Sequence, residues 1–210
     1  MINVFIADDH TLIREGIKNL LSLEKDINLV GETSDPFEVI EQVKKNKCDI
    51  LILDLSMPGK SGLDILKELQ TIAPNVKVLV STMLPEDQFA KRTLKAGAWG
   101  YITKDRASEE LLTAIRRIAS GKKFVTQSLA EKLVDDLGDR SSKFPHEILS
   151  DREFQILKMM GIGKSQTEIA DELMISTSTV NTYRSRIFEK LNIRSNAALI
   201  HYAITHNLVE

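Results

Sequence analysis

Short apolar runs alternate with amphipathic stretches over the first 120 residues. Residues 2–7, 27–32, 49–54, 76–81 and 99–102 are rich in Ile, Val and Leu and end at polar or turn-forming positions. Runs of this length predict buried strands of a parallel sheet. Between them the apolar positions fall at helical spacing: Leu12, Leu20 and Leu23, then Val39, Ile40 and Val43, then Leu63, Leu66 and Leu69. Phe89, Thr93 and Ala96 mark a shorter helix, and Leu111, Leu112, Ile115 and Ile118 a fifth. Five strand–helix units predict an α/β doubly wound domain on a five-stranded parallel sheet.

Beyond Gly121 the pattern changes and no strand is evident. Leu129, Leu133 and Leu137, with Ala130 and Val134, form one apolar stripe, which breaks at the polar run Gly138-Asp139-Arg140-Ser141-Ser142-Lys143-Phe144-Pro145. This predicts a linker over 121–147 that carries a short amphipathic helix. The remainder, 148–210, predicts a second, all-α domain of four helices. Ser150 with Glu153, and Ser165 with Glu168, have the capping-box spacing that satisfies free backbone donors at a helix start. Gly161 to Gly163 separates the first two helices, Met174 to Ser176 turns into a third, and Ser195 caps a fourth.

Composition adds exclusions. With 42% hydrophobic and 28% charged residues the chain is that of a globular protein, and a formal charge of −2 gives no global pull towards nucleic acid. The lone cysteine, Cys48, rules out an internal disulfide and fits a reducing compartment. The first apolar run is cut by Asp8, and none approaches the roughly 18 residues that span a bilayer. A cytoplasmic protein with no membrane partner is expected.

Chemistry collects at the ends of the strands. Asp8 and Asp9 follow the first run, Asp54 the third, Thr82 the fourth and Lys104 the fifth. Ligands of an open parallel sheet sit outside the carboxyl ends of its strands, so these side chains are expected to converge. Carboxylates with a hydroxyl and an ammonium suit a divalent cation and a phosphoryl group. Mg2+ takes one or two carboxylates plus other oxygens, here Asp8, Asp9, Asp54 and the backbone carbonyl of Ser56. Asp54 is also a candidate nucleophile, with the cation and Lys104 offsetting the repulsion between two anions. His10, with no second histidine or cysteine nearby, is read as the opening of a helix. A metal-dependent phosphohydrolase with Asp54 as nucleophile is the competing class, but its dehalogenase-type arrangement needs a second acid two residues after the nucleophile, where this chain has Ser56.

The pair Asp8-Asp9, the segment Asp54-Leu-Ser-Met-Pro-Gly59, Thr82 and Tyr101-Ile-Thr-Lys104 together resemble the receiver domain of bacterial response regulators, over residues 1–120. The resemblance implies a flavodoxin-like fold and a phosphoryl group accepted at Asp54 from a sensor histidine kinase or a small acyl phosphate. It also implies a switch in which Thr82 moves towards the phosphate and Tyr101 turns inward.

In the second domain, helix–turn–helix spacing makes Thr177 to Leu191 a recognition helix for the DNA major groove. Val180, Tyr183, Ile187 and Leu191 share one face and are expected in the core, while Asn181, Thr182, Ser185 and Arg186 point away from it. Those polar side chains are candidates for base edges, and Arg184, Arg186 and Lys190 for phosphates. Seven basic residues balance seven acidic ones from 148 to 210, but four against one between Tyr183 and Arg194 leave a local +3. Leu149-Ser-Asp-Arg-Glu153, Glu168-Ile-Ala170, Ser178-Thr-Val180 and Lys190-Leu191 resemble the LuxR-type helix-turn-helix module, which with a receiver makes the NarL/FixJ class. Asn181-Thr-Tyr-Arg-Ser-Arg186 is similar to its GacA/UvrY branch. Many relatives have Lys where this chain has Asn181 and His where it has Tyr183, so base preference does not carry over. The class implies binding to double-stranded DNA as a phosphorylation-promoted homodimer, with Ala197, Ile200, His201 and Ile204 of the last helix as contact candidates. The competing reading makes those residues part of the domain core.

Overall fold

Five strands, β1 (Ile2–Ala7), β2 (Ile27–Thr33), β3 (Ile50–Leu53), β4 (Lys77–Thr82) and β5 (Gly100–Thr103), pair in parallel in the order β2-β1-β3-β4-β5. The computed structural model describes residues 1–138 and 144–209. The central strands β1 and β3 are apolar on both faces because helices cover both. Val4, Ile6, Ile50 and Ile52 meet Ile115 and Ile118 in one buried cluster. The crossover helices are α1 (Thr11–Ser22), α2 (Val39–Lys45), α3 (Gly62–Ile72) and α4 (Glu86–Lys95), and α5 (Ala107–Ala119) follows the last strand. A sixth helix, α6 (Gln127–Gly138), follows and packs on α4. Thr126 Oγ1, just before α6, donates to Glu86 Oε1 at 2.8 Å.

Of the three leucines that mark the first helix, Leu20 packs in part against the core. Leu12 and Leu23 are 86% and 79% exposed, whereas Ile17 and Leu21, four apart, are buried. On α6, Leu129 is buried but Val134 is exposed, so the apolar stripe is covered only in part. Cys48, just before β3, is buried, and burial pushes its thiol up to about 12.

The chain divides into two compact units, Met1–Gly138 and Asp139–Glu210. The part of the expected linker that runs to Gly138 thus groups with the first unit. The polar break at 139–143 lies outside the described residues.

The second unit contains α7 (Asp151–Gly161), α8 (Gln166–Leu173), α9 (Thr177–Leu191) and α10 (Asn196–Thr205), preceded by a 3-10 turn at Pro145–Ile148. Both capping boxes form as the sequence predicts. The tight turn between α8 and α9 is made by Met174 in the left-handed region, at φ 51°. Val180 and Ile187 are fully buried, while Tyr183 and Leu191 are half-buried. No helix among the described residues is long and apolar enough to cross a membrane.

Candidate functional site

Backbone pairing at the carboxyl edge of the sheet fixes the acidic site. Asp54 N donates to Ala7 O at 2.9 Å and Lys104 N to Thr82 O at 2.9 Å, so the residues that follow β1, β3 and β5 leave the sheet side by side. Helix α3 presses on this corner. A Cβ on Gly62 would lie 2.6 Å from Leu55 Cα and 2.7 Å from Asp54 O, so only glycine permits the close approach.

Asp8, Asp54 and Lys104 are buried. Lys104 Nζ donates to Asp54 Oδ2 at 2.6 Å and lies 2.8 Å from Asp8 Oδ2. Asp54 Oδ1 accepts from Ser56 N at 3.0 Å, and Asp8 Oδ1 from His10 N at 2.8 Å. Asp9 is left over. Its Oδ1 is buried and accepts no hydrogen bond, for His10 Nδ1, 2.9 Å away, is close without hydrogen-bond geometry. Two carboxylates thus share one lysine ammonium with a third carboxylate beside them, and like charges this close disfavour one another.

Oxygens of Asp8, Asp9 and Asp54 and a ring nitrogen of His10 all lie within 4.8 Å of one another. A buried carboxylate oxygen that accepts no hydrogen bond, beside two other carboxylates, is the donor set a divalent cation takes. The residues therefore fit Mg2+.

Thr82 and Tyr101 line the same edge. Thr82 Oγ1 is buried and 3.4 Å from Ser56 Oγ. Tyr101 is fully buried, and its hydroxyl donates to Leu84 O at 2.8 Å. Burial, then the nearby Glu86, Asp54 and Asp87 carboxylates, hold its phenol well above the usual range. The ring is already inside.

Two residues belong to this site that sequence reasoning set aside or missed. His10 opens α1, as expected, but its Nδ1 also lies 3.2 Å from Asp8 Oδ1 and 3.3 Å from Lys104 Nζ. Arg14, one turn later, donates from Nη1 to Asp8 O at 2.7 Å and so fixes the acidic loop. The signal available was its place four residues after His10, on the helix face that looks back to the loop.

The exposed face of α9 carries Asn181, Thr182, Ser185 and Arg186. Thr182 Oγ1 donates to Ser178 O and Ser185 Oγ to Asn181 O, both at 3.0 Å, which turns those hydroxyls back on the helix. Arg186 lies 5.9 Å from the Tyr183 ring. Arg184 is half-buried, stacked over Phe188 at 4.4 Å and donating to Asn196 Oδ1 at 3.0 Å. Lys190, also a candidate for phosphate, has a partner within its own unit. Its Nζ donates to Oε2 of the buried Glu153 at 2.7 Å, tying α9 to α7. A carboxylate buried in the domain holds the ammonium that the sequence offered to phosphate.

On α10, Ala197, His201 and Ile204 are exposed and Ile200 is half-buried, while Leu199 and Ala203 face the core.

Comparison with known proteins places both units. Residues 4–116 match the response regulator receiver domain, and residues 147–203 match the bacterial regulatory proteins of the luxR family. Response regulator UvrY of Escherichia coli (strain K12) is 36% identical over 209 residues, covering 99% of this chain and 96% of its own. Response regulator GacA of Pseudomonas viridiflava is 38% identical over 212 residues, covering 100% of this chain and 99% of its own. Among solved structures, RcsB from Salmonella enterica serovar Typhimurium, bound to promoter rprA in the presence of the phosphomimetic BeF3−, is similar with a TM-score of 0.60. It is 30% identical and covers 96% of this chain and 98% of its own. A structure of two RcsB dimers bound to two parallel DNAs matches with a TM-score of 0.61 at 30% identity, covering 96% of this chain and 97% of its own. The acidic corner of the sheet, the capped helical unit and full-length similarity to UvrY and GacA lead to one assignment: this chain belongs to the response regulators, with a receiver domain joined to a LuxR-type DNA-binding domain.

Proposed function

We propose that Asp54 accepts a phosphoryl group and that this event controls promoter binding by the second unit. The observation that carries the reading is the buried Asp8–Lys104–Asp54 bridge beside a buried Asp9 oxygen that accepts no hydrogen bond. Asp8, Asp9, Asp54 and the Ser56 carbonyl would hold Mg2+, whose bound charge offsets the repulsion between the carboxylate and the incoming phosphoryl group. A carboxylate oxygen of Asp54 attacks phosphorus on the phosphohistidine of a sensor kinase, or on a small acyl phosphate. The P–N or P–O bond breaks, its electron pair leaves on the imidazole nitrogen or the acyl oxygen, and a mixed anhydride remains on Asp54. Lys104 Nζ, already on Asp54 Oδ2, shifts to a phosphoryl oxygen, and the Thr82 hydroxyl donates to another. Attack of water on phosphorus later returns the carboxylate and releases phosphate. The chemistry stays on the chain's own side chain, so the protein is a signalling component without turnover of an outside substrate.

Drawing Thr82 to the phosphoryl group favours the arrangement with Tyr101 inside, which is a population shift set by differential contacts. In this reading residues 1–120 are the switch, 121–147 the connection and 148–210 the reader of DNA, and the protein works in the cytoplasm. Asn181, Thr182, Ser185 and Arg186 present the face that enters the major groove, and Arg184 flanks it. Ala197, Ile200, His201 and Ile204 join two phosphorylated copies, which sets two recognition helices on successive half-sites. The RcsB structures on DNA, one as dimers and one with a phosphomimetic, support this order of events.

Mass spectrometry of the intact chain after incubation with acetyl phosphate and Mg2+ tests the central step. Wild type gains one phosphoryl group and Asp54→Asn gains none. Equal uptake by the variant overturns the assignment of Asp54.

A further inference from the structure

Gln166, the first residue of α8, is half-buried, and its Nε2 donates to Oδ1 of the exposed Asn181 at 3.1 Å. Both backbones are anchored. Ser165 and Glu168 cap α8 reciprocally, and the Ser176 side chain accepts from Thr179 N at 3.1 Å at the start of α9. We propose that Gln166 is a positioning residue that fixes the amide of Asn181 for recognition of adenine in the major groove, an inference that rests on the DNA-binding reading of α9 given above.

The argument is one of orientation. An asparagine amide on an exposed helix turns easily about its last torsion and presents either its oxygen or its nitrogen to the groove. Adenine offers an N6 donor next to an N7 acceptor, and an amide satisfies both only with its oxygen towards N6 and its nitrogen towards N7. The Asn181 oxygen has two lone pairs. One takes the Gln166 N–H, the other remains for adenine N6, and both N–H groups on Nδ2 remain available for N7. The bond from Gln166 favours this orientation before DNA arrives, which lowers the cost of ordering that side chain in the binding step. The neighbouring Thr182 and Ser185 hydroxyls bond back to α9 carbonyls, so Asn181 is the amide on this face with a pattern that matches adenine. A mere staple between α8 and α9 would use the same bond and leave base preference untouched, and that difference is measurable.

The test is selection from a randomised duplex library by the full-length protein treated with acetyl phosphate and Mg2+, followed by sequencing of the bound pool. Wild type, Gln166→Ala, Gln166→Glu, Asn181→Ala and the Gln166→Ala/Asn181→Ala double variant are compared. Each base preference is normalised to the same variant's binding of an unrelated duplex, so a general loss of stability or affinity cancels. Wild type should enrich a repeated half-site containing an adenine whose preference disappears in Asn181→Ala. Gln166→Ala, and Gln166→Glu, which keeps the length but removes the donor, should lower preference at that same position about fivefold to tenfold. The double variant should fall no further than Asn181→Ala alone. Unchanged preference in the Gln166 variants, an effect at another position, additive losses, or a base other than adenine at the Asn181-dependent position overturns the proposal. Wild type that selects no sequence overturns the DNA-binding reading along with it. Selection that survives Asn181→Ala at every position overturns the Asn181 assignment while DNA binding stands.

Discussion

Lys104 and Lys190 both hold a carboxylate, yet they stand in opposite electrostatic settings. Lys104 is outnumbered by acids in a buried corner, and Lys190 closes a single pair at the edge of a small domain. Lys104→Met leaves Asp8 and Asp54 facing each other without compensation. It should lower stability by about 3–5 kcal/mol in urea unfolding without divalent cation, with part restored by Mg2+. Asp9→Asn should act the other way, raising the urea midpoint of the metal-free protein and weakening its response to Mg2+. A cation-independent midpoint in wild type would contradict both. In the second unit, burial pushes the Glu153 carboxyl up, but hydrogen bonds from Lys190 and Ser150 outweigh it and leave the group below its usual range. The sign follows from that depression. The contribution is present above the unfolded value of about 4.3 and is lost as pH falls through the lower folded value. Lys190→Met should therefore destabilise the protein at neutral pH by about 1–3 kcal/mol, with the difference from wild type shrinking on acidification. If Lys190 instead served only a DNA phosphate, stability would be unchanged and the salt dependence of DNA binding would shift.

Elements tell where the sequence was legible. The strands were, because an apolar run ending in a charged or turn-forming residue has few other uses, and the observed boundaries differ by one residue at most. Helix α9 was readable as well, since the turn at Met174 to Ser176 and the helical spacing of Val180 and Ile187 announce it. The face of α1 was not. Leu12, Leu20 and Leu23 drew the pattern, while the core takes Ile17 and Leu21 with Leu20 only partly covered, and apolarity alone does not say which stripe is covered. The Lys190 pairing was equally out of reach, because Glu153 lies 37 positions away on another helix. His10 and Arg14 were hidden for a related reason: their role depends on where the first turn of α1 sits relative to Asp8. The α3 start carries its own test. Gly62→Ala forces a methyl group against Leu55 Cα and Asp54 O, so it should cost about 1–3 kcal/mol. Phosphoryl uptake from acetyl phosphate should also slow, because the Asp54 loop must shift. Wild-type stability and uptake in that variant would show that α3 does not set the position of the loop.

At the scale of the whole chain, the candidate cation ligands found among the described residues belong to one unit. The metal-ligating group found among the described residues lies entirely within Met1–Gly138, and the second unit is held by capping boxes, the Glu153–Lys190 pair and apolar packing. Calorimetry of the full chain should show a transition that rises with Mg2+ and one that does not, as linkage requires when a ligand binds one folded unit. Asp9→Asn should abolish the rise and leave the other transition in place. Movement of both transitions by the cation would mean that the units unfold together.

The sequestered sulfur beside β3 supplies a tool for such measurements. A thiol held up to about 12 is almost wholly protonated at neutral pH, and alkylating reagents consume the thiolate. Cys48 is the chain's single cysteine, so iodoacetamide capture counts openings of the first unit with no background from the second. Slower capture in Mg2+ would give the cation's protection of that unit directly, without an engineered label.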